Sequence, residues 1–407
     1  MRANNEKTKV LFIEYAQGFG GSIVSLSESL KGMSNIEPYV LVLQNDKILD
    51  KLYSSFHLIK KPLIFNYLVK TKYTELLQRL LPYKFLVQFF LLPFVLLEKI
   101  EAKLLLRSIL KIIKKEDIKL VYSNNGFNES TILSARAAGL PCTLHFRGYK
   151  QTSYPFENTD YHYPSLFFAI SHYVKNYLIN SGVPKDHIFM IHNAVEVKRY
   201  ELAYEKRTEF RKKLLDDEDT IAIGIFGRIT EWKGQKDFIS AIDILVNQTN
   251  IKFKVFVVGD CSDEDCEYYE QLKVTSRHLV ESNKLVFCGY QRAFENYYAA
   301  MDIVVHASRN AEPFGRVVIE GMAAKAAVIA MNEGGPAEVI TDGVDGLLVE
   351  PRSIDKLVEA LIILCESKEL RQQLSENAIK TVKEKYSPEY VGGEIEKQLL
   401  TVIGNFN

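Results

Sequence analysis

A stretch of nine residues, Glu312 to Glu320 (EPFGRVVIE), carries two carboxylates on either side of a Pro-Phe-Gly corner. Pro313 and Gly315 oppose helix continuation from the preceding residues, so we expect a helix to begin near Gly315. Glu320 then lies one to two turns inside this helix, on the same face as Arg316. Two carboxylates near exposed helix amides suit a ligand with hydroxyls at two places and a phosphate between them. A capping acid plus a surface Glu would give the same pattern.

A second stretch, Gly227 to Gly234 (GRITEWKG), follows an apolar run that predicts a buried strand. Its Arg228 and Lys233 lie on one turn, so both could converge on one dianion through charge-assisted hydrogen bonds. The order of residues is not that of a P-loop. Two solvated surface charges are the alternative interpretation.

Two glycine pairs occupy similar strand-to-helix turns. Gly20 and Gly21 (in QGFGGS) follow the first predicted strand, and Ile23 stands where a dinucleotide fingerprint needs its third glycine. Gly334 and Gly335 lie in NEGGPAE. Such glycines let bare amides approach a phosphate or a sugar, although a tight turn with positive φ is the alternative for the first pair. In open α/β sheets, ligands bind beyond the carboxyl ends of the strands, where these turns are expected.

Apolar, β-branched runs alternate with helical patterns along the chain, which is typical of parallel, doubly wound sheets. Six strands are predicted in the first half (Lys9 to Tyr15, Tyr39 to Gln44, Lys119 to Asn124, Cys142 to Phe146, Phe167 to Ser171, Ile188 to Asn193) and six in the second (Ile221 to Gly227, Lys254 to Gly259, Lys284 to Gly289, Ile303 to Ser308, Ala327 to Met331, Gly346 to Glu350). A polar, charge-dense stretch between the halves indicates a linker and a helix. We predict an α/β protein with one Rossmann-like domain over 1–200, a second over 201–386, and a C-terminal helix over 387–407 that packs back toward the first.

The composition excludes several classes of protein. The 407 residues suffice for two domains, and 51 basic against 51 acidic residues argue against a nucleic-acid binder. Five scattered cysteines favour a reducing compartment. Cys261 and Cys266 lack the second pair of ligands that structural zinc needs, so we interpret them as two loop thiols. The N-terminal residues predict no secretory signal, and we expect a cytoplasmic protein.

Residues 60–119 differ from the rest, with 13 Lys or Arg against 5 Asp or Glu among many apolar residues. The apolar run Phe85 to Leu97 contains Gln88 and Pro93 and is shorter than the ~20 residues that span a bilayer. A basic amphipathic helix of this type can lie peripherally in an anionic membrane surface, here the inner one. An insertion that packs on its own domain, with its lysines toward solvent, is the alternative.

Taken together, these motifs resemble the GT4-type retaining glycosyltransferases, a family with the GT-B architecture of two Rossmann-like domains facing across a cleft. The resemblance rests on GR and KG in GRITEWKG, on the E-x7-E motif Glu312 to Glu320, on GGPAE followed by DGVDGLLVEP, on the early Gly20-Gly21 pair and on HNAVEVKRY before the second half. It extends over nearly the whole chain.

The resemblance implies a role for each matching residue. Arg228 and Lys233 look like the pair that holds the diphosphate of a nucleotide-sugar donor, carrying UDP or GDP, and stabilises the leaving group. Glu320 resembles the acid that binds the ribose, and Glu312 the acid that binds the donor hexose. The remaining donor contacts are the amides of Phe314, Gly315 and Arg316, the amide of Gly21, and the backbone near Gly289 and Tyr290 for the base.

In the first half His145 resembles the family's active-site histidine, which reaches the donor sugar. The sequence departs from the family where His-Asp or His-Gly becomes His145-Phe146-Arg147. A satisfied core histidine is the alternative, and Arg147 could instead face an acidic acceptor or a phosphate.

The resemblance implies front-face transfer with retention, without a metal or another cofactor, to a hydroxyl of a glycan or polyprenyl-linked acceptor in surface polysaccharide or glycolipid synthesis. A GT-B epimerase or hydrolase acting on the nucleotide sugar, or a non-catalytic sugar-nucleotide binder, are the alternative functions.

Overall fold

The computed structural model describes residues 6–15, 20–63, 84–148 and 163–406, with the backbone only for 84–90. Contacts divide the chain into a first unit, Met1–Ile170, Val174–Ile191 and Gly392–Asn407, and a second unit, Ser171–Tyr173 and His192–Val391. The division after Ile191 precedes the boundary placed near Tyr200 from composition. The polar stretch around Tyr200 forms two helices of the second unit, Val197–Glu205 and Arg207–Leu214.

The first unit is built on a parallel sheet of seven strands in the order β3-β2-β1-β4-β5-β6-β7. The strands are β1 (Thr8–Glu14), β2 (Ile36–Val42), β3 (His57–Lys60), β4 (Leu120–Asn124), β5 (Cys142–Phe146), β6 (Leu166–Ala169) and β7 (Ile188–Met190). The helices are α1 (Gly21–Lys31), α2 (Lys47–Leu52), α3 (Lys84–Glu116), α4 (Glu129–Ala138) and α5 (His172–Asn180), of which the first two residues belong to the second unit. The strand order reverses between β1 and β4, so the sheet is doubly wound.

All six strands predicted in this half are present, and β3 is additional. Its four residues, HLIK, mix charged and apolar side chains at the edge of the sheet, paired in parallel with β2. An edge strand of this length has one exposed flank and needs no apolar run. The alternation of polar and apolar residues was too short to indicate it.

The second unit is built on a parallel sheet of six strands in the order β10-β9-β8-β11-β12-β13. The strands are β8 (Ile221–Phe226), β9 (Phe253–Val258), β10 (Leu285–Gly289), β11 (Ile303–His306), β12 (Ala327–Met331) and β13 (Leu347–Val349). The helices are α6 (Val197–Glu205), α7 (Arg207–Leu214), α8 (Gln235–Gln248), α9 (Cys266–Thr275), α10 (Arg277–Glu281), α11 (Phe294–Ala300), α12 (Arg316–Ala323), α13 (Pro336–Val339), α14 (Ile354–Glu366), α15 (Lys368–Lys385) and the start of α16 (Pro388–Phe406). This order reverses between β8 and β11.

The core of the second unit explains why these runs form central strands. Every residue of β8, β9, β11 and β12 is buried. Strands covered by helices on both faces are expected to read as continuous apolar runs rather than as an alternation. The α/β class with two doubly wound sheets is therefore confirmed.

The C-terminal helix α16 contributes its later residues to the first unit. There Glu396 accepts hydrogen bonds from the backbone amides of Asn35 and Ile36, at 2.5 and 2.8 Å. Gly392 approaches the backbone so closely that a Cβ would lie 2.3 Å from the Ser29 carbonyl oxygen. A glycine and a buried carboxylate thus attach the end of the chain to the first unit. Among the helices of the described residues, none is long and apolar enough to cross a membrane.

Candidate active site

Three loops of the second unit carry the predicted donor residues, and all three follow carboxyl ends of neighbouring strands. Gly227 to Gly234 follows β8, residues 307–315 follow β11, and 332–335 follow β12. The sheet order reverses between β8 and β11, so the first two loops flank the position at which doubly wound sheets bind ligands.

Glu312 is a buried carboxylate held by three side chains. Its Oε1 accepts hydrogen bonds from the Lys233 ammonium and, at 2.5 Å, from the Ser308 hydroxyl. His306 Nε2 lies 2.9 Å from the same oxygen, though without the direction of a hydrogen bond. Among the described residues all three contacts fall on Oε1, so Oε2 is left as an acceptor for a ligand hydroxyl.

The charge state of Glu312 follows from these neighbours. Burial alone favours the neutral acid, but the attraction of Lys233 and His306 outweighs it and holds the pKa of the Glu312 carboxyl well below its usual range. Glu312 is therefore ionised at every physiological pH. A carboxylate that is always ionised and held in one orientation can accept hydrogen bonds from ligand hydroxyls.

Glu320 lies on the first turns of α12, as the helix prediction requires. Its Oε1 is 3.0 Å from Arg316, one turn earlier, and its Oε2 accepts a hydrogen bond of 2.9 Å from the Tyr298 hydroxyl. Tyr298 stacks on Phe226 at 3.7 Å between ring centroids, which fixes that hydroxyl. Burial, together with the Glu320 charge, raises the pKa of Tyr298 well above its ordinary value, so it stays a donor. An ionised carboxylate has about four acceptor positions, and these contacts leave room for further hydroxyls.

The start of α12 is fixed by glycines on two loops. Gly315 caps the helix with a φ of 80°. A Cβ on Gly335 would lie 2.3 Å from the Phe314 Cα, and its amide donates to the Glu312 carbonyl at 2.8 Å. The glycines of NEGGPAE thus hold the Glu312 loop instead of leaving all their amides to a ligand. Glu338 in the same segment accepts from the backbone amides of His172 and Tyr173.

Lys233 and Arg228 share a loop but differ in environment. The Lys233 ammonium contacts Glu312 and lies 4.3 Å from the centre of the Trp232 ring. Arg228 is exposed and, among the described residues, its side chain has no hydrogen bond or ion pair. Directly after Lys233 the loop turns at Gly234, with a φ of 73° and a Cβ position 1.8 Å from the Ala307 carbonyl oxygen. Only glycine fits there, and it keeps the β8 loop against the β11 loop.

The other predicted donor residues lie farther along the sheet or in the first unit. Gly289 ends β10 with a φ of 64°, and Tyr290 beside it is exposed. In the first unit Gly21 is the first residue of α1, preceded by an extended Gly20, so the positive-φ turn is wrong for this pair.

His145 lies fully buried in β5. Its Nδ1 shares a hydrogen bond with the Tyr122 hydroxyl, and its Nε2 has no hydrogen-bond partner among the described residues. Burial, with the Arg147 charge adding to it, lowers the pKa of His145 well below its usual range, so the ring is neutral. Arg147 Nε donates to Asn124 at 2.7 Å. These contacts are those of a core histidine, and its role at a donor sugar stays a prediction.

Sequence reasoning missed the residues that hold the two acids. His306 and Ser308 end the predicted strand IVVHAS, and polar residues at the carboxyl end of a buried strand are a signal that was available. Tyr298 gave no such signal, since it lies among the aromatic residues of α11, which are typical of a buried helix face. Among the described residues no group of three or more His, Cys, Asp or Glu could hold a metal ion.

Comparison with known proteins identifies the family of this chain. Residues 206–381 match the family model described as glycosyl transferases group 1, and residues 75–199 match that described as glycosyltransferase family 4. The uncharacterized glycosyltransferase MJ1607 of Methanocaldococcus jannaschii is 31% identical over 217 residues, 52% of this chain and 54% of that protein. The capsular polysaccharide biosynthesis glycosyltransferase CapM of Staphylococcus aureus is 26% identical over 241 residues, 58% of this chain and 61% of that protein.

The chain therefore spans little more than half the length of these curated relatives. Among solved structures, Anabaena Alr3699/HepE in complex with UDP has a TM-score of 0.74 at 20% identity, over 97% of this chain and 100% of that one. That likeness concerns the fold. Since the two family models together match most of the chain, the chain belongs to the GT4-type, group 1 glycosyltransferases, with the GT-B fold.

Proposed function

We propose that this protein is a retaining glycosyltransferase that moves a hexose-type sugar from a nucleotide-diphosphate sugar to a hydroxyl of a glycan or lipid-linked glycan. The observation that carries the proposal is the pair of buried acids, Glu312 and Glu320, at the start of one helix beside a loop with two cations. Burying a charged side chain costs free energy unless it is paired, and proteins keep such groups mainly in ion pairs and at functional sites. Here both acids keep acceptor capacity at the ligand-binding edge of the sheet.

The donor would bind along this edge. Arg228 and Lys233 hold the diphosphate, and the amides of Phe314, Gly315 and Arg316 at the start of α12 add partial positive charge. Glu320 accepts the ribose hydroxyls and Glu312 the hydroxyls of the hexose. Gly289 and the exposed Tyr290 meet the base. HepE was crystallised with UDP and with UDP-glucose, which supports a nucleotide-sugar donor for this fold.

The reaction needs no carboxylate nucleophile. As the bond to the sugar breaks, charge develops on the departing diphosphate, and Arg228 and Lys233 stabilise it more strongly in the transition state than in the ground state. The departing oxygen helps to deprotonate the acceptor hydroxyl on the same face, so the anomeric configuration is retained. The family resemblance also implies roles for His145 and Gly21 of the first unit, and the two cations of the second unit make a divalent metal unnecessary.

Helix α3 supports an acceptor carried on a lipid. It exposes Leu92, Leu96, Ile100 and Leu104, one residue per turn, with exposed fractions of 62%, 60%, 48% and 55%. Lys99, Lys103 and Arg107 are exposed beside this stripe. Apolar side chains flanked by cations are typical of helices that lie in an anionic membrane surface. The name of CapM, capsular polysaccharide biosynthesis, is consistent with an acceptor of this kind.

One incubation separates a transferase from an enzyme that acts on the nucleotide sugar alone. The protein is mixed with UDP-glucose or GDP-mannose, with and without a membrane extract that supplies acceptors, and nucleotide release is followed. We expect release to depend on the extract. Release that is faster without acceptor would contradict the proposal and favour a hydrolase or an epimerase.

A further inference from the structure

Two cysteines of the second unit lie in contact at its surface. Cys261 follows β9 and is half-buried, Cys266 begins α9 and is exposed, and their Sγ atoms are 3.1 Å apart. A disulfide bond is about 2.05 Å long, so the sulfurs need to approach by only about 1 Å. The turn between them is already closed, because the Asp265 amide donates to the Ser262 carbonyl at 2.9 Å.

The remaining three cysteines differ from this pair because burial, rather than contact with a second thiol, raises their pKa. Burial raises the pKa of the thiols of Cys288 and Cys365, to about 11 and about 12, and raises that of the buried Cys142 still further. Contact with Cys266 raises the pKa of Cys261 to about 11, so Cys261 keeps its proton at neutral pH. Cys266 is the exposed sulfur and hence the one that an oxidant in solution reaches first.

The cysteine loop touches the loop that carries Arg228. The Asp260 carbonyl, next to Cys261, accepts a hydrogen bond of 2.9 Å from the Ile229 amide. One residue earlier, a Cβ on Gly259 would lie 1.9 Å from the Gly227 carbonyl oxygen. The two backbones are therefore in direct contact, with no side chain between them to absorb a displacement. A shift of Cys261 is passed to the peptide between Arg228 and Ile229.

We propose that Cys261 and Cys266 form a reversible redox pair whose disulfide loosens the Arg228 loop and weakens anion binding there. The oxidant is a peroxide. The Cys266 sulfur attacks one peroxide oxygen and becomes a sulfenic acid as one water leaves; the Cys261 sulfur then attacks the sulfenic sulfur, the S–S bond forms and a second water leaves. Two thiols lose two hydrogens and one hydrogen peroxide is reduced. A small dithiol restores both thiols by exchange.

Such a pair is compatible with a reducing compartment, where disulfides that do occur are mostly transient and redox-sensing. Movement of Cys261 toward Cys266 displaces the adjoining Asp260 peptide and so strains its hydrogen bond with the Ile229 amide. The consequence for ligand binding rests on the proposed function, since it assumes that the Arg228 loop binds the donor diphosphate. The disulfide and the loosened loop do not depend on it.

The experiment compares the full-length protein after treatment with hydrogen peroxide and after dithiothreitol. Intact mass and peptide mapping detect the Cys261–Cys266 bond, amide hydrogen exchange follows the peptide over Gly227 to Gly234, and calorimetry measures UDP affinity. We expect the bond to form and to reverse, exchange at Ile229 to rise, and UDP to bind about fivefold more weakly, the lower end of usual couplings between sites. Cys261→Ser should abolish all three changes, whereas Cys288→Ser should preserve them.

Each outcome has one meaning. Absence of the bond in the oxidised wild-type protein, or a bond with unchanged exchange over Gly227 to Gly234, overturns the redox pair as proposed. If the bond forms and exchange rises but UDP binds neither form, the proposed function fails while the redox pair stands. If UDP binds both forms equally, the coupling to the anion site is wrong.

Discussion

At the scale of single residues, the contact between Lys233 and Glu312 joins two tasks that the sequence assigned separately. Lys233 was expected at the diphosphate and Glu312 at the hexose, yet the ammonium already binds Glu312 Oε1. A lysine has three donors, so it can hold the acid and a phosphate oxygen at once. The diphosphate would then be bound by a cation whose position depends on the acid that binds the sugar.

The two acids of the motif should respond differently to neutralisation. Glu320→Gln removes the proposed charge-assisted acceptor of the ribose, and we expect nucleotide affinity to fall about tenfold, or ~1.4 kcal/mol, with a smaller change in turnover. Glu312→Gln removes the proposed acceptor of the transferred sugar, and we expect turnover to fall about 100-fold. Calorimetry with UDP and initial rates measure the two effects. Equal, small effects from both variants would show that the motif is only a capped helix with a surface acid.

Glu312 also makes a pH-dependent contribution to stability. Its pKa in the folded protein lies below the ordinary value of 4.5, so the contribution is complete above about pH 4.5 and is lost as the pH falls through the lowered pKa. Glu312→Gln leaves the half-buried Lys233 without its partner, which we expect to cost about 3 kcal/mol of unfolding free energy at pH 7. Urea unfolding of both proteins measures this difference, which should be constant from pH 8 to 5 and shrink below pH 4. A difference that is lost near pH 6 would contradict the lowered pKa.

At the scale of elements, the loops after β8 and β11 depend on one glycine. Gly234→Ala places a methyl group against the Ala307 carbonyl and adds ~1–2 kcal/mol of left-handed backbone strain. Gly343→Ala is the matched control, because Gly343 has a φ of 71° and no atom within 4 Å of its Cβ position. Thermal unfolding should show a modest loss for Gly343→Ala and a distinctly larger one for Gly234→Ala, which should also weaken UDP binding. Equal losses would mean that the contact with Ala307 is unimportant.

Helix α3 should bind membranes through its exposed stripe. The double variant Leu96→Glu, Ile100→Glu places acids among the lysines and should abolish co-flotation with liposomes that contain anionic lipid. Val274→Glu, at the most exposed large apolar residue outside this helix, is the control and should float as the wild type does. We also expect binding to weaken in high salt, since the attraction of lysines to anionic lipid is screened. Absence of wild-type flotation would show that the segment only packs on its own domain.

The elements were more predictable than the contacts between them. Long buried strands such as β8 and β12 follow from apolar runs alone, and α12 follows from Pro313 and Gly315. The edge strand β3 could not be predicted in this way, because it forms by pairing with β2 and its own residues do not make an apolar run. Ser308 and Tyr298 hold the two acids through tertiary packing, which depends on how β11 and α11 meet the loops. The periodicity of a single segment contains no information about such contacts.

At the scale of the whole molecule, the two sheets have the same doubly wound plan but different chemistry at their reversal points. In the second sheet the point between β8 and β11 carries Arg228, Lys233 and Glu312. In the first, the ends of β1 and β4 carry Glu14 and Asn124, which are hydrogen-bonded to each other at 2.6 Å. The cations Arg228 and Lys233 at the reversal point of the second sheet favour an anionic ligand, so we place the proposed donor on the second unit.

This assignment predicts which ligands stabilise the protein and what the reaction requires. A ligand that binds only the native state raises the unfolding temperature, so a thermal-shift panel of UDP-, GDP- and ADP-sugars should give one responsive nucleotide. Arg228→Ala should abolish that shift without lowering the unfolding temperature of the free protein, because Arg228 is exposed. With the responsive donor, transfer should continue in EDTA, since Arg228 and Lys233 are the groups proposed to balance the leaving diphosphate. Activity that is lost in EDTA and restored only by Mn²⁺ or Mg²⁺ would show that these two cations do not suffice.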